Sequence, residues 1–557
     1  MEILRVENLT FKYPGSENTA LNGVSFSVNS GDFVVLCGES GCGKTTLLKL
    51  LKKSLSPKGE LSGEILYFGK SRNEISDKTD AEDIGFVLQN PETQIVTDKV
   101  WHELAFGLEN LGIKTDVIRR RVAEMANYFG INGWFRKKTS ELSGGQKQLL
   151  NLAAVMVMQP KVLILDEPTS RLDPIAASDF LATLNKLNRE LGLTVIIAEH
   201  CLEEVFPIAD RVLLMENGKV LLNDSPRNIA PMLSKTNNNH KMLAALPAAT
   251  RVFGSLETSD DCPLTVKEGR AFLQKHFASN APVDFRTEEK REETTAIELK
   301  NVWFRYEKDL PDILRGASLK INSGEHCCVL GGNGSGKTTM LNVISGISKA
   351  YRGKVFINQI PIKSYKGNSL YRNNLAYLPQ DPISVFIKDT VQDDLSEILS
   401  ALEVPKSERE EKIKKAARAV GVEKLLSRHP YDLSGGEQQK CAIAKMLLLN
   451  PKILLCDEPT KGIDAAAKQE LGRIFKELLK SGITVLTVTH DVEFAAEFAD
   501  RCALFFDGEI LSAAQPAEFF AENSFYTTAA NRMARGLCKT AITCDNVVKF
   551  CKGENKE

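Results

Sequence analysis

Residues 142–169 read LSGGQKQLLNLAAVMVMQPKVLILDEPT, and residues 433–460 read LSGGEQQKCAIAKMLLLNPKILLCDEPT. The second copy begins 291 positions after the first and matches it without a gap. In each copy a Ser-Gly-Gly turn, Ser143-Gly144-Gly145 or Ser434-Gly435-Gly436, opens an apolar-periodic helix expected over 149–158 and 441–449. Pro160 and Pro451 end these helices, because the proline ring cannot continue the hydrogen-bond ladder. The aliphatic runs 162–165 and 453–456 follow, and they read as strands buried on both faces of a parallel sheet. Both run into Asp-Glu-Pro-Thr, giving the pairs Asp166-Glu167 and Asp457-Glu458. The carboxyl end of a buried strand is where open α/β sheets bind ligands. One such pair could be a solvated strand end; two in matching contexts point to a site.

A chain of 557 residues is too long for one core, and the repeat sets the natural count at two. A formal net charge of −1 gives no global footprint for nucleic acid, so no nucleic-acid partner is expected. The twelve cysteines include the neighbours Cys327-Cys328 but no pair at C-x-x-C spacing, which excludes the usual zinc and thioredoxin-like patterns. With no secretory signal at Met1-Glu2-Ile3, they are expected to be reduced cytosolic thiols, mostly in the core. No apolar run approaches the roughly 18 residues that span a bilayer.

In the first half, strand-like alternation over 3–9 and 24–28 flanks Phe11-Lys12-Tyr13-Pro14-Gly15, read as a loop. Tyr13 either stacks on an adenine base or packs on its own sheet; its counterpart Tyr306 favours stacking. The strand expected at 33–37 leads into Gly38-Glu39-Ser40-Gly41-Cys42-Gly43-Lys44-Thr45-Thr46 and a helix. That is G-x-x-x-x-G-K-[ST] in the strand-to-helix context of a phosphate-binding loop. Its glycines let backbone amides turn onto phosphate oxygens, and the helix amino end adds positive dipole. Lys44 would bridge the β- and γ-phosphates of ATP, and Thr45 with Asp166 would hold Mg²⁺. The strand 84–88 delivers Gln89, placed to sense the γ-phosphate or Mg²⁺, with Asn90-Pro91-Glu92-Thr93-Gln94 behind it. Residues 98–140 read as amphipathic helices, with Arg119-Arg120-Arg121 on a solvated face. A helix at 174–191 and a strand at 194–198 then lead to Glu199-His200. Glu167 is the candidate that polarises the attacking water, and His200 the one that contacts the γ-phosphate.

The second half repeats this order: Gly331-Gly332-Asn333-Gly334-Ser335-Gly336-Lys337-Thr338-Thr339, Gln380, Asp457-Glu458 and His490. Thr338, Gln380 and Asp457 take the Mg²⁺ positions there, and Glu458 and His490 the catalytic ones. Expected boundaries are 1–225 for the first module, 226–296 for an appendage and linker, 297–525 for the second module and 526–557 for a tail. Residues 234–240 are polar and read as a loop, whereas Thr265 and Glu268 fit a capping box opening a helix through Phe277. Residues 286–295 read as a flexible join, and the tail at 543–551 echoes the Thr265 helix.

With phosphate loop, glutamine, LSGGQ, DEPT and terminal histidine in order, each half resembles an ATP-binding-cassette ATPase. The resemblance covers roughly 1–225 and 296–525. It implies an α/β fold of two tandem cassettes, each a mostly parallel core sheet with helices plus an antiparallel β subdomain and a helical subdomain. It further implies an intrachain pseudo-dimer with two ATP sites, Lys44 facing Ser434-Gly435-Gly436 and Lys337 facing Ser143-Gly144-Gly145. The segments VLQNPETQ at 87–94 and VWHELAFG at 100–107 are similar to those of energy-coupling-factor (ECF) ATPases, which serve vitamin and metal importers. Residues 246–270 also resemble the region that follows the cassette in that group. Gln380-Asp381-Pro382-Ile383 departs from the pattern. Expected partners are a multi-span transmembrane scaffold and a separate substrate-binding membrane subunit, with the chain peripheral on the cytoplasmic membrane face. The alternative is a soluble twin-cassette ATPase acting on ribosomes or nucleic-acid machinery. It is opposed by His200-Cys201-Leu202-Glu203-Glu204 and His490-Asp491-Val492-Glu493-Phe494, which resemble importers.

Overall fold

The computed structural model describes residues 1–16, 18–236, 240–256, 258, 260–286 and 294–554. The chain divides into two compact units, Met1–Thr265 and Val266–Glu557.

In the first unit a six-stranded sheet runs in the order Lys219–Asp224, Arg211–Glu216, Phe33–Gly38, Thr194–Ala198, Val162–Asp166, Ile84–Val87. All pairings are parallel except that of the edge strand Lys219–Asp224. The residues of Val162–Asp166 are buried without interruption, as expected for a strand covered by helices on both faces. Ile164, fully buried, would cost about 2–5 kcal/mol if cut to alanine. A second, four-stranded antiparallel sheet is built on Glu2–Lys12. That strand takes in Phe11 and Lys12, read above as loop, because Phe11 pairs with Leu21 and buries its ring. The helices Val100–Asn110, Thr115–Tyr128 and Gly144–Met156 form the helical part.

The second unit repeats the plan, with a six-stranded sheet ordered Leu375–Leu378, Ile453–Asp457, Thr484–Thr489, His326–Leu330, Arg501–Phe506, Glu509–Ala514. Its antiparallel sheet is built on Thr295–Phe304.

The signature helices begin at Gly144 and Gly435, five or more residues before the apolar period starts. Ser143 and Ser434 supply the reason: each caps its helix in a capping box, with Gln146 and Glu437 reaching back. Helix Pro226–Thr236 likewise extends into the stretch read as loop, and 237–239 lie outside the described residues.

Residues 226–296 are shared between the two units. In the first unit the Glu203 carboxylate accepts from the Ala248 amide at 2.8 Å, seating helix Ala248–Gly254. Helix Val266–Phe277 belongs instead to the second unit, beside helix Ala529–Ala534, where the Arg270 guanidinium donates to the Arg532 carbonyl at 2.7 Å. Asn280 donates to the carbonyls of Phe550 and Cys551, satisfying the end of helix Cys544–Lys552. That helix opens on a Thr543–Asn546 capping box, and Glu493 accepts from the Ala529 amide at 2.7 Å just as Glu203 does for Ala248. Of the join expected at 286–295, residues 287–293 lie outside the described residues. Among the described residues no helix is long and apolar enough to cross a membrane.

Candidate active sites

The sheet order brings three strand ends together in each unit. In the first, Phe33–Gly38 ends in the phosphate loop, Thr194–Ala198 in Glu199-His200 and Val162–Asp166 in Glu167. The loop turns into helix Lys44–Leu51 through Gly43, at φ 105°, where a Cβ would meet the Ala20 carbonyl oxygen at 2.7 Å. Gly336 does the same in the second unit at φ 108° before helix Lys337–Ile344. Only glycine takes that conformation without strain.

Lys44 is 5 % exposed, and its Nζ donates to the carbonyls of Gly38 at 2.9 Å and Glu39 at 3.1 Å. Lys337 donates to Gly331 at 2.8 Å and Gly332 at 3.0 Å, with Glu458 Oε1 3.5 Å away. Each ammonium is thus aimed into its own loop, where a phosphate would compete for its protons. Tyr13 and Tyr306 donate to or accept from Thr46 and Thr339 at 3.0 and 3.1 Å, holding half-exposed to exposed rings beside the loops. Both rings meet a strand phenylalanine, Phe11 or Phe304, edge-on.

Thr45 Oγ1 donates to Asp166 Oδ1 at 3.1 Å. In the second unit Asp457 Oδ2 takes the Tyr377 hydroxyl at 3.4 Å, and its Oδ1 is buried without a hydrogen-bond partner. A hydroxyl and a carboxylate are hard oxygen donors, so these residues fit Mg²⁺ held by one carboxylate and phosphate oxygens. Burial pushes the Asp166 carboxyl up to about 6, helped by the neighbouring Glu167 charge. Burial likewise raises Asp457.

Glu167 and Glu458 sit at φ 44° and 46°, in the left-handed region. Such a conformation costs on the order of 1–3 kcal/mol in a non-glycine residue and clusters at functional sites. The Glu167 amide donates to the Ala198 carbonyl at 3.0 Å and the Glu458 amide to Val488 at 2.9 Å, which anchors both turns to the next strand. Glu167 Oε2 accepts from Gln89 Nε2 at 2.8 Å, and its Oε1 lies 2.7 Å from His200 Nε2. The first site therefore gathers lysine, aspartate, glutamate, glutamine and histidine. In the second, Glu458 Oε2 meets His490 Nδ1 at 2.9 Å and the His490 amide at 3.2 Å. Burial favours a neutral Glu458, but His490 and Lys337 outweigh it and hold the carboxyl below its ordinary value. Gln380 is exposed at the end of its strand, so the second site lacks the glutamine contact of the first.

Ser143 Oγ accepts from the Gln146 amide at 3.3 Å and Ser434 Oγ from the Glu437 amide at 3.4 Å. The next residues, Gly144-Gly145 and Gly435-Gly436, open 13-residue helices whose amino ends favour anions. Gly436 also needs to be small, since a Cβ there would meet the Ala467 methyl at 2.8 Å.

Four contributors escaped sequence reasoning. Tyr377, where the first half has Phe86, points its hydroxyl at Asp457 Oδ2, 3.4 Å away. Lys241, beyond the first cassette, lies 3.2 Å from the loop residue Glu39. Glu199 and Lys445 are buried charged groups with named partners, treated below. Comparing the two halves position by position would have flagged Phe86 against Tyr377, Glu199 against Thr489 and Ala154 against Lys445.

The ABC transporter family description matches residues 21–170 and 314–461. A protein of Bacillus thuringiensis subsp. konkukian, named "Putative ABC transporter ATP-binding protein", is 40% identical over 552 residues, spanning 99% of this chain and 98% of that one. One of the same name from Methanosarcina mazei is 33% identical over 535 residues, spanning 93% and 90%. The solved structure of cbiO1 from Clostridium perfringens, described as part of the ABC transporter complex cbiONQ, is 29% identical over 41% of this chain and 92% of that one, with a TM-score of 0.39. Both phosphate loops and both Asp-Glu turns fall inside or at the edge of the matched segments, and the chain belongs to the ABC transporter family as an ATPase with two ATP-binding cassettes in one polypeptide.

Proposed function

We propose that this chain is the energising subunit of an importer of the energy-coupling-factor type, taking up a vitamin or a metal ion. The observation that carries the proposal lies behind the two glutamines. Val96, between the two ECF-like segments, and Trp101, in the second of them, are 66% and 41% exposed, and Ile387 in the second unit, at the position of Val96, is 70% exposed. Large apolar side chains left open in the segment that follows a nucleotide-sensing residue suit a membrane subunit that takes up the motion. That subunit would be a multi-span scaffold working with a separate substrate-binding membrane protein, and the chain would lie on the cytoplasmic face.

In this reading Tyr13 and Tyr306 stack on adenine, and Lys44 and Lys337 bind the β- and γ-phosphates. Thr45, Asp166 and Gln89, or Thr338, Asp457 and Gln380, would hold Mg²⁺, which would supply positive charge to the phosphate oxygens. Glu167 or Glu458 accepts a proton from the attacking water as its oxygen bonds to the γ-phosphorus and the bridge to ADP breaks. His200 or His490 contacts the γ-phosphate.

Hydrolysis by E167Q, E458Q and the double variant tests the chemistry. Each single variant should retain a different residual rate and the double none; unchanged rates in both single variants would remove these glutamates from catalysis. Fractionation of native cells tests the setting. Sedimentation with membranes is expected, whereas sedimentation with ribosomes would favour the twin-cassette alternative.

A further inference from the structure

Glu199 is 2 % exposed, at the end of the strand that delivers His200. Its Oε1 accepts from the Thr169 amide at 3.1 Å and from Thr169 Oγ1 at 2.7 Å, and its Oε2 accepts from the His200 amide at 3.2 Å. Its own amide donates to the Leu36 carbonyl at 3.2 Å, in the strand that feeds the phosphate loop. One buried carboxyl group therefore joins the end of the Asp166-Glu167-Pro168-Thr169 turn to the backbone of the following histidine.

The second unit has Thr489 at this place, and its hydroxyl accepts from Asp491 instead, at 3.0 Å. The His490 amide, with no carboxyl group on the preceding residue to take it, turns to Glu458 Oε2 at 3.2 Å. A carboxylate oxygen that receives a histidine's amide is within reach of the near ring nitrogen, and Glu458 does meet Nδ1. Glu167, relieved of the amide, meets the far nitrogen Nε2 and has its other oxygen on Gln89. Glu458 thus takes a backbone amide beside the His490 ring and Lys337 Nζ, whereas Glu167 meets the side chains of Gln89 and His200.

We propose that Glu199 is a positioning residue of the first ATP site, occupying the His200 amide and Thr169 so that the Glu167 carboxylate meets Gln89 and the His200 ring. The inference rests on the reading of Glu167 as the group that polarises water. The groups acting on Glu199 are Thr169, His200 and Glu167, and burial pushes its carboxyl up to about 7.

The test is ATP hydrolysis by the full chain with the second site silenced by E458Q, so that turnover reports the first. E199T, which installs the residue of the second unit, should lower kcat about tenfold, the effect of about 1.4 kcal/mol in the barrier. KM for ATP should change less than about twofold, because Lys44 and the phosphate loop are untouched. E199Q, which keeps the acceptor for Thr169, should recover part of the loss. In the reciprocal pair, T489E added to E167Q should move second-site kcat without a matching change in KM. A kcat within twofold of the parent in both E199T and E199Q would overturn the proposal, as would parallel losses in kcat and ATP affinity. The control E167Q/E458Q separates the two readings. If it still turns over, the role of Glu167 fails; if it is silent and E199T is not impaired, only the role of Glu199 fails.

Discussion

Replacing Lys445 by methionine should destabilise the second unit while leaving its side-chain volume nearly unchanged. Lys445 lies in the signature helix Gly435–Leu447 and is 8 % exposed. Its Nζ donates to Asp394 Oδ1 at 2.9 Å and to the Val385 carbonyl at 2.6 Å, with the Phe386 ring 5.8 Å below. Asp394, fully buried, also accepts from the amides of Ile387 and Lys388 at 3.0 to 3.2 Å. The loop behind Gln380 is thereby stapled to the helix that follows the signature turn. K445M leaves a buried carboxylate with two amides and no counter-charge, which costs about 3–5 kcal/mol. At roughly 2–4 °C per kcal/mol, the melting of this unit should fall by about 10 °C. Urea unfolding followed by hydrogen exchange in peptides from Val266–Glu557 reads the loss directly. Adding D394N should restore most of it, since removing both charges is far less costly than removing one. A K445M protein within about 1 kcal/mol of the parent, or a double variant as unstable as the single, would refute this reasoning.

Glu199 gives a pH test of its own. Its carboxyl keeps its proton to about pH 7 in the fold but only to 4.5, the ordinary value, when unfolded. The stability this contributes is whole below pH 4.5 and is lost as pH rises through 7, a swing on the order of 3 kcal/mol. E199Q lacks that dependence, so urea midpoints at pH 5 and pH 8 should move in its favour at the higher pH; parallel midpoints would refute the assignment. Tyr13→Ala and Tyr306→Ala should each weaken ATP binding by about 1–3 kcal/mol, roughly 5- to 150-fold, if their rings stack on adenine. Fluorescent-nucleotide titration checks this, and an unchanged affinity would return both rings to packing on their own sheets.

The parts legible in the sequence were those repeated with local punctuation. Phosphate loops, buried strands and Asp-Glu turns each declare themselves within about ten residues, through glycine spacing, aliphatic runs and proline stops. The start of the signature helix was missed because Ser143-Gly144-Gly145 reads as a turn, while its serine is in fact the cap. The amphipathic helix Val266–Phe277 was legible, but its membership in the second unit was not, since periodicity says which face is buried and not against what. Glu199 and Lys445 were invisible for the same reason. Their partners lie 30 and 51 positions away, and a charged residue reads as exposed until its partner is seen.

The central claim is that this chain energises a membrane importer. It is tested most directly by tagging the full chain in its own cells, solubilising them in mild detergent and identifying what co-purifies in stoichiometric amount. The account predicts a multi-span scaffold together with a small substrate-binding membrane protein, both lost when the exposed residues Val96, Trp101 and Ile387 are made charged. Ribosomal proteins in stoichiometric amount, with nothing from the membrane, would contradict it.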